Sequence, residues 1–205
     1  MLSLIGTTTS PFVRRVRVVA LEKGVDLTLV PALTDEGQAA LRRASPVWKV
    51  PVALFDDGRT VYDSRVIIDE LCRDGWGPLR APSTDPRMRV AEENVVTMID
   101  EALASLIRRF YLQRDGAQLA TPYLDKDLDR AHTILRHLDG SVVDVFATGA
   151  GKEAGGFGRA ELALVTALDW FVFRKTFDVA QTPRLEALRA HWQTRPSIAQ
   201  TAPTP

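Results

Sequence analysis

The sequence is short of metal-binding and disulfide-forming side chains. Cys72 is the one cysteine among 205 residues, so the chain can form neither an internal disulfide nor a thiolate cage around a metal. The three histidines, His132, His137 and His191, show no metal-ligand spacing, and we expect no metal. A lone cysteine fits a reducing compartment, which predicts a cytoplasmic protein.

An excess of one charge and a long apolar run are also missing. The 26 basic residues balance the 26 acidic ones, which argues against nucleic acid or an anionic membrane as a partner. No stretch approaches the roughly 20 apolar residues of a membrane span, and Met1–Ile5 lack the basic region of a leader peptide. We therefore expect a soluble, unprocessed protein whose 45% hydrophobic residues fill a sizeable core.

The first third of the chain alternates short β-type runs with turn residues and helical segments. A helical face follows the first run and ends at Gly24, a helix covers 36–43, and another opens at Asp63. The predicted strands are Leu2–Ile5, Leu27–Val30, Val52–Phe55 and Thr60–Tyr62. The expected order is βαβ, a linking helix, then ββα.

The remainder of the chain has helical periodicity. A long helix opens at Asp85-Pro86 and ends before Gly116, another opens at Pro122, and Leu162–Phe173 is apolar on nearly every side. Gly149–Gly158 is expected to be a flexible loop. We predict an α/β domain over 1–76, a linker over 77–85 and an all-helical domain over 86–205.

Ser10 and Pro11 stand where the first strand passes into the first helix. Serine is a common N-cap and proline suits the first helical position. Capping is the commonest role for such a serine, but a helix N-terminus also favours an anion such as a thiolate. Both roles are compatible, because a hydroxyl can accept one hydrogen bond and donate another.

Two further short motifs are ambiguous when taken singly. Lys49-Val50-Pro51 fits an ordinary strand start, with Lys49 solvated, or a tight bend holding a cis proline. Asp63-Ser64 fits an ordinary helix cap, or a site where the helix start holds a carboxylate and Asp63 an ammonium group.

Taken together, these motifs resemble the cytosolic glutathione transferases, most closely small bacterial serine-type members. The similarity extends over the whole chain, from Ser10-Pro11-Phe12-Val13-Arg14-Arg15 to the ending Arg195-Pro196-Ser197-Ile198. It implies a thioredoxin-like first domain, a helical second domain and glutathione as co-substrate.

The resemblance also implies residue roles. Ser10 would hydrogen-bond the glutathione thiolate, Val50 before a cis Pro51 would pair with the cysteinyl backbone, Asp63 and Ser64 would hold the γ-glutamyl end, and Lys49 the glycyl carboxylate. Phe12 would also belong to the glutathione-binding residues. Phe12, Arg108, Tyr111 and Trp170 are candidate walls of a site for a small hydrophobic electrophile, although core or surface packing is the commoner role for each.

The chain departs from the family pattern at two places. Val47-Trp48 occupy a position where many members have a smaller, glycine-containing turn. Gly158 and Glu161 stand where the family has a serine or threonine cap with an acid three residues later. Glycine is an acceptable cap, so we still expect the buried helix to form.

The resemblance predicts a glutathione-conjugating homodimer that detoxifies electrophiles. A non-catalytic interaction module with the same fold is the alternative, since a fold does not guarantee its chemistry. Glutathione-dependent disulfide exchange is a third reading, but serine cannot form a mixed disulfide, and Cys72 has the apolar neighbours of a buried, inert thiol.

Overall fold

The computed structural model describes residues 2–145 and 156–204, and the chain forms two compact units. The first runs to Leu79 and also includes the segment that begins at Thr194. The second spans Arg80–Gln193. The predicted fold class, an α/β thioredoxin-like domain followed by a helical region, is confirmed.

The first unit has the predicted order of elements. Its strands are β1 Leu2–Gly6, β2 Leu27–Pro31, β3 Val52–Phe55 and β4 Thr60–Val61, and its helices are α1 Pro11–Lys23, α2 Asp35–Ala44, α3 Ser64–Leu71 and, at the end of the chain, α8 Pro196–Gln200. For β1–β4 and α1–α3, each boundary that the sequence predicted lies within two residues of the observed one.

The sheet has the order β2-β1-β3-β4. Strands β1 and β2 are parallel, whereas β3 runs antiparallel to β1, with Ile5 opposite Val52. Strand β4 is antiparallel to β3, with Ala53 opposite Val61. The end of β1, the start of β3 and the end of β4 therefore lie at the same end of the sheet.

Helix α1 packs tightly against the end of β1. Gly6 closes the strand, and a Cβ atom at that position would lie 2.7 Å from both γ-carbons of Val13. Val13, Val16 and Val19 are completely buried along the helix. A side chain at Gly6 would push α1 away from the sheet, so glycine sets how closely the strand end approaches the helix start.

The C-terminal segment is where the structure corrects the predicted domain limits. Residues 194–204 were expected in the helical domain 86–205, but they pack in the first unit. Arg195 forms an ion pair with Glu22 of α1 through Nε and Nη2, at 2.7 and 2.8 Å, and Ser197 Oγ donates to the same carboxylate. Arg14 Nη2 donates to the Ile198 carbonyl at 3.0 Å.

The second unit is helical, as predicted. Within its described residues the α-helices are α4 Pro86–Arg114, α5 Pro122–Val145, α6 Arg159–Arg174 and α7 Pro183–Gln193, with a short 3₁₀ turn at Val179–Gln181. Every residue of α6 from Ala160 to Phe171 is buried, which confirms its prediction as a central helix. Residues 149–155 of the predicted flexible loop lie outside the described residues.

Arg80 explains the unusual start of α6. Its Nη2 atom donates to both carboxylate oxygens of Glu161, at 3.0 and 2.9 Å, and Nη1 donates to Glu92. Glu161 also accepts from the Gly158 amide at 2.9 Å. A Cβ atom at Gly158 would lie 2.8 Å from Arg80 Nη2, so the guanidinium fills the space that a capping side chain would need.

These two carboxylates hold the half-buried Arg80 guanidinium as a cation. Burial lowers the pKa of the guanidinium, but the charge of Glu161 and the hydrogen bond to Glu92 outweigh that effect and raise the pKa of Arg80.

Among the described helices, none combines the length and the apolar character that crossing a bilayer requires.

Candidate functional site

Ser10 caps α1 as predicted. Its backbone is extended, with φ −77° and ψ 124°, and its hydroxyl oxygen accepts a hydrogen bond from the Val13 amide at 3.3 Å. Pro11 occupies the first helical position. Ser10 is half-buried, and its hydroxyl is anchored to the helix start.

The first turn of α1 offers a second hydrogen-bond donor. Pro11 has no amide hydrogen, the Val13 amide is bonded to the Ser10 hydroxyl, and the Arg14 amide donates to the Ser10 carbonyl at 3.0 Å. Within the described part of the chain, the Phe12 amide has no hydrogen-bond partner. An anion in front of α1 can therefore meet one hydroxyl and one amide, together with the positive end of the helix dipole.

Three arginines add positive charge along α1. Arg14 and Arg15 are each 2% exposed, and the Arg15 guanidinium lies 4.9 Å from the centre of the half-buried Phe12 ring. Burial, and then the charge of Arg14, lowers the pKa of Arg17. Three arginine side chains therefore lie within the first two turns of this helix.

The bond between Val50 and Pro51 is cis, which confirms the expectation drawn from the family resemblance. Pro51 is buried, and the half-buried Val50 packs against the core cluster to which Ile5 and Val52 belong. The β1–β3 ladder ends at the pair of Ile5 with Val52, so the Val50 backbone lies just beyond the last paired residue. An extended ligand could continue the sheet at that point.

Asp63 and Ser64 form the start of α3. The Asp63 carboxylate accepts from the Arg65 amide at 2.9 Å, so Asp63 is a helix cap, and it is also exposed to solvent. Ser64 is 3% exposed. The peptide bond between Tyr62 and Asp63 is cis. Asp63 therefore caps its helix and keeps its carboxylate exposed. Ser10 likewise caps a helix without being fully buried.

The topology brings these three motifs to one end of the sheet. Ser10 follows the end of β1, Val50 precedes β3, and Asp63 follows β4. The ladder pairs of β1 with β3 and of β3 with β4 fix these ends beside one another. Two helix N-termini and an open strand start thus face the same region, which suits a ligand with an extended backbone and several negative groups.

The segment before Val50 has a feature that sequence reasoning missed. Trp48 has a positive φ of 54°, and the Arg42 guanidinium lies 4.9 Å from the centre of its ring. The buried Ser45 hydroxyl accepts from the Val47 amide at 3.2 Å and holds the turn. Lys49 is exposed. Arg42 lies on α2, and its six-residue separation from Trp48 gave no sequence signal of stacking.

The three candidates for the hydrophobic site in the second unit differ in their surroundings. Tyr111 is 43% exposed, and Arg108 Nη1 donates to Asp127. Trp170 is only 3% exposed and packs edge to face with Phe110, at 5.7 Å between ring centres. Trp170 therefore packs as a core residue, which is the commoner role expected for it from the sequence.

Cys72 and the histidines have the surroundings predicted from the sequence. Cys72 is 5% exposed at the end of α3. His137 and His191 are exposed, and His132 packs on Phe177 with 5.6 Å between ring centres. The described residues contain no group of three or more histidine, cysteine, aspartate or glutamate side chains placed to hold a metal.

The chain is similar to known proteins in sequence and in structure. Residues 4–77 match the family model of the glutathione S-transferase N-terminal domain. Among curated proteins, the uncharacterized GST-like protein YibF of Escherichia coli (strain K12) is 26% identical over 208 residues, which cover 98% of each chain.

Two crystal structures resemble the whole chain. A glutathione S-transferase from Methylobacillus flagellatus KT with glutathione bound has a TM-score of 0.84 and 26% identity, with complete coverage of both chains. A second, from Methylobacterium radiotolerans JCM 2831 in complex with glutathione sulfonate, has a TM-score of 0.83 and 26% identity, covering 100% of this chain and 95% of that one. The chain thus contains a glutathione S-transferase N-terminal domain and has the fold of bacterial glutathione S-transferases.

Proposed function

We propose that this protein is a glutathione transferase that binds glutathione at the sheet end defined by Ser10, Val50 and Asp63. The observation that carries the proposal is the convergence of these three motifs, each on a different strand end, at one place in the first unit. The glutathione and the glutathione sulfonate in the two similar crystal structures support the choice of ligand.

The first task of such an enzyme is to stabilise the thiolate. A free thiol has a pKa of about 8.5, and lowering it by one unit requires about 1.4 kcal/mol. A hydrogen bond to a charged group contributes roughly 1.5 to 3 kcal/mol, and a helix N-terminus roughly 0.3 to 1 kcal/mol. The Ser10 hydroxyl and the start of α1 would together lower the thiol pKa by roughly one to three units.

The remaining site residues would position the tripeptide. Val50 would pair its backbone with the cysteinyl residue, in the manner of an added strand. Asp63 would bind the ammonium group of the γ-glutamyl end, while Ser64 and the start of α3 would bind its carboxylate. Lys49, which is exposed, would reach the glycyl carboxylate.

The reaction would join the glutathione sulfur to an electrophilic carbon of a small apolar substrate. The thiolate donates the electron pair of the new C–S bond, and a leaving group such as a halide departs with the electrons of the bond that breaks. By the family resemblance, Phe12, Arg108 and Tyr111 would be contacts of that substrate, whereas Trp170 is buried in the core of the second unit. The protein would be a cytoplasmic homodimer that detoxifies electrophiles. Sedimentation analysis tests the dimer.

Calorimetric titration with glutathione, combined with turnover of an activated aryl halide, tests this function. We expect saturable binding and a turnover that Asp63→Asn reduces. Leu33→Asn changes an exposed residue outside the proposed site and is the control. Binding without turnover would instead favour the non-catalytic interaction module, and the absence of binding would contradict the proposed site itself.

A further inference from the structure

A buried polar contact joins the C-terminal segment of the chain to α1. Arg14 of α1 is 2% exposed, and Thr201, which follows α8 directly, is 1% exposed. The Arg14 guanidinium donates from Nε to the Thr201 hydroxyl at 3.3 Å and from Nη2 to the Ile198 carbonyl at 3.0 Å. One arginine therefore binds a side chain and a backbone group of the same C-terminal segment.

The Thr201 hydroxyl is held in place as an acceptor for Arg14. It shares its own hydrogen between the carbonyls of Ser197 and Ile198, at 2.8 and 3.3 Å. A hydroxyl that donates in this way keeps its lone pairs for a donor such as Arg14 Nε. The hydroxyl is therefore fixed by its own segment before it meets α1.

Arg14 also closes the first turn of α1. Its amide donates to the Ser10 carbonyl at 3.0 Å, which is the first backbone hydrogen bond of the helix. The amides before it have no carbonyl of the helix to bond, so the first turn is the part that frays most easily. The position of Ser10 consequently depends on what holds Arg14 and its neighbours.

Two consecutive residues hold this turn from two sides. Val13 is completely buried and packs closely on Gly6 at the end of β1. Successive side chains of a helix leave it about 100° apart, so Arg14 extends in another direction, toward the C-terminal segment. The sheet therefore supports one side of the capping turn, and α8 with Thr201 supports another.

We propose that Arg14 is a positioning residue of the transferase site: held by the C-terminal segment, it fixes the first turn of α1 and thereby places the Ser10 hydroxyl. This inference rests on the proposed function and gives α8 a role in that site. Positioning of this kind affects the reaction because a displacement of about 1 Å can cost an enzyme roughly 100-fold in rate.

Ultraviolet titration of the thiol of bound glutathione and steady-state kinetics test the proposal. Arg14→Gln removes the donor, and Thr201→Val removes an acceptor while leaving every charge in place. In both variants we expect the bound thiol pKa to rise by at least about 0.5 unit and kcat to fall roughly threefold or more. KM for glutathione should change less than about twofold, because the strand start at Val50 and the α3 start at Asp63 keep their contacts.

Arg189→Gln is the matched control for a loss of stability. Arg189 is a partly buried arginine of α7 that donates to Asp169 at 2.8 Å and to Glu186 at 2.7 Å, entirely within the second unit. Its loss should destabilise the protein but leave the bound thiol pKa unchanged. Exchange of the Val13 amide, followed by NMR without glutathione, should be faster in Arg14→Gln and Thr201→Val than in Arg189→Gln.

The thiol pKa and the amide exchange separate this proposal from the proposed function. A lowered thiol pKa in the parent that Arg14→Gln and Thr201→Val both retain would overturn the positioning role and leave the transferase site intact. An equal rise in Arg189→Gln would also overturn it. If the parent binds no glutathione, the proposed function fails, and equal Val13 exchange in the three variants would overturn the support of this turn by the C-terminal segment.

Discussion

The Ser10 hydroxyl oxygen accepts a hydrogen bond from the Val13 amide at 3.3 Å. A hydroxyl that accepts in this way keeps its own hydrogen for another acceptor. The cap therefore leaves the Ser10 donor available to a bound thiolate. Structural capping and the proposed catalytic role are compatible.

Two substitutions at Ser10 separate the cap from the chemistry. Ser10→Ala should lower the free energy of unfolding by about 1 kcal/mol, whereas Ser10→Gly should cost only a few tenths, because glycine is a tolerated N-cap. Both variants lose the hydroxyl, so both should lose most of the turnover. Urea unfolding and steady-state kinetics provide the comparison. A fully active Ser10→Gly enzyme would show that Ser10 only caps the helix.

Asp63→Asn tests the proposed ammonium contact without removing the cap. Asparagine caps a helix as well as aspartate, so we expect stability within about 0.5 kcal/mol of the parent. Loss of the charge should weaken glutathione binding by roughly tenfold, measured by calorimetry. An unchanged affinity would leave Asp63 with the structural role alone.

Gly6→Ala tests the close approach of β1 and α1. The new Cβ would lie 2.7 Å from the γ-carbons of Val13, and such overpacking typically costs about 1 to 3 kcal/mol. The double variant with Val13→Ala removes the clashing carbons and should regain part of the stability lost by Gly6→Ala. Thermal unfolding of the two single variants and the double variant checks this, and purely additive losses would argue against the contact.

The ion pair of Glu22 with Arg195 should make the first unit sensitive to acid. Burial raises the pKa of Glu22, but hydrogen bonds from Arg195 and Ser197 and the charge of Arg195 outweigh it, so this pKa is lowered from its usual 4.5. A lowered folded-state pKa contributes stability above pH 4.5 that is lost as the pH falls through the folded-state value.

Glu22→Gln should therefore destabilise the protein near neutral pH, and the difference from the parent should shrink on acidification below the usual glutamate pKa. Urea unfolding across this pH range measures the difference, and hydrogen exchange of Pro196–Gln200 reports release of α8. A difference that does not change with pH would show that the Glu22 charge does not hold this helix.

Local signals predicted most of the fold. Helix α1 begins at the Ser10-Pro11 cap and has Gly24 as its C-cap, with a positive φ of 64°. The apolar run of α6 marked the central helix of the second unit. These features depend on neighbouring residues, so the sequence carries them directly.

Contacts between distant residues were not predictable in this way. Arg195 and Glu22 are 173 positions apart, and nothing in the local pattern near Arg195 separates a helix of the second unit from one that packs on α1. The same holds for Arg80 and Glu161, which are 81 positions apart and form one ionic cluster.

Part of the candidate site was predictable because its residues cap helices or begin a strand. Ser10, Pro51 and Asp63 each combine a local structural role with a position at a strand end. The stacking of Arg42 on Trp48 had no such local role to reveal it. Side-chain contacts that depend on the tertiary fold therefore could not be predicted from the sequence.

Thiolate stabilisation by Ser10 can be measured by an ultraviolet pH titration of bound glutathione. We expect a thiol pKa at least about one unit below that of free glutathione, returned toward the free value by both Ser10→Ala and Ser10→Gly. A bound thiol with the pKa of free glutathione, or a lowered pKa that both variants retain, would contradict thiolate stabilisation by Ser10.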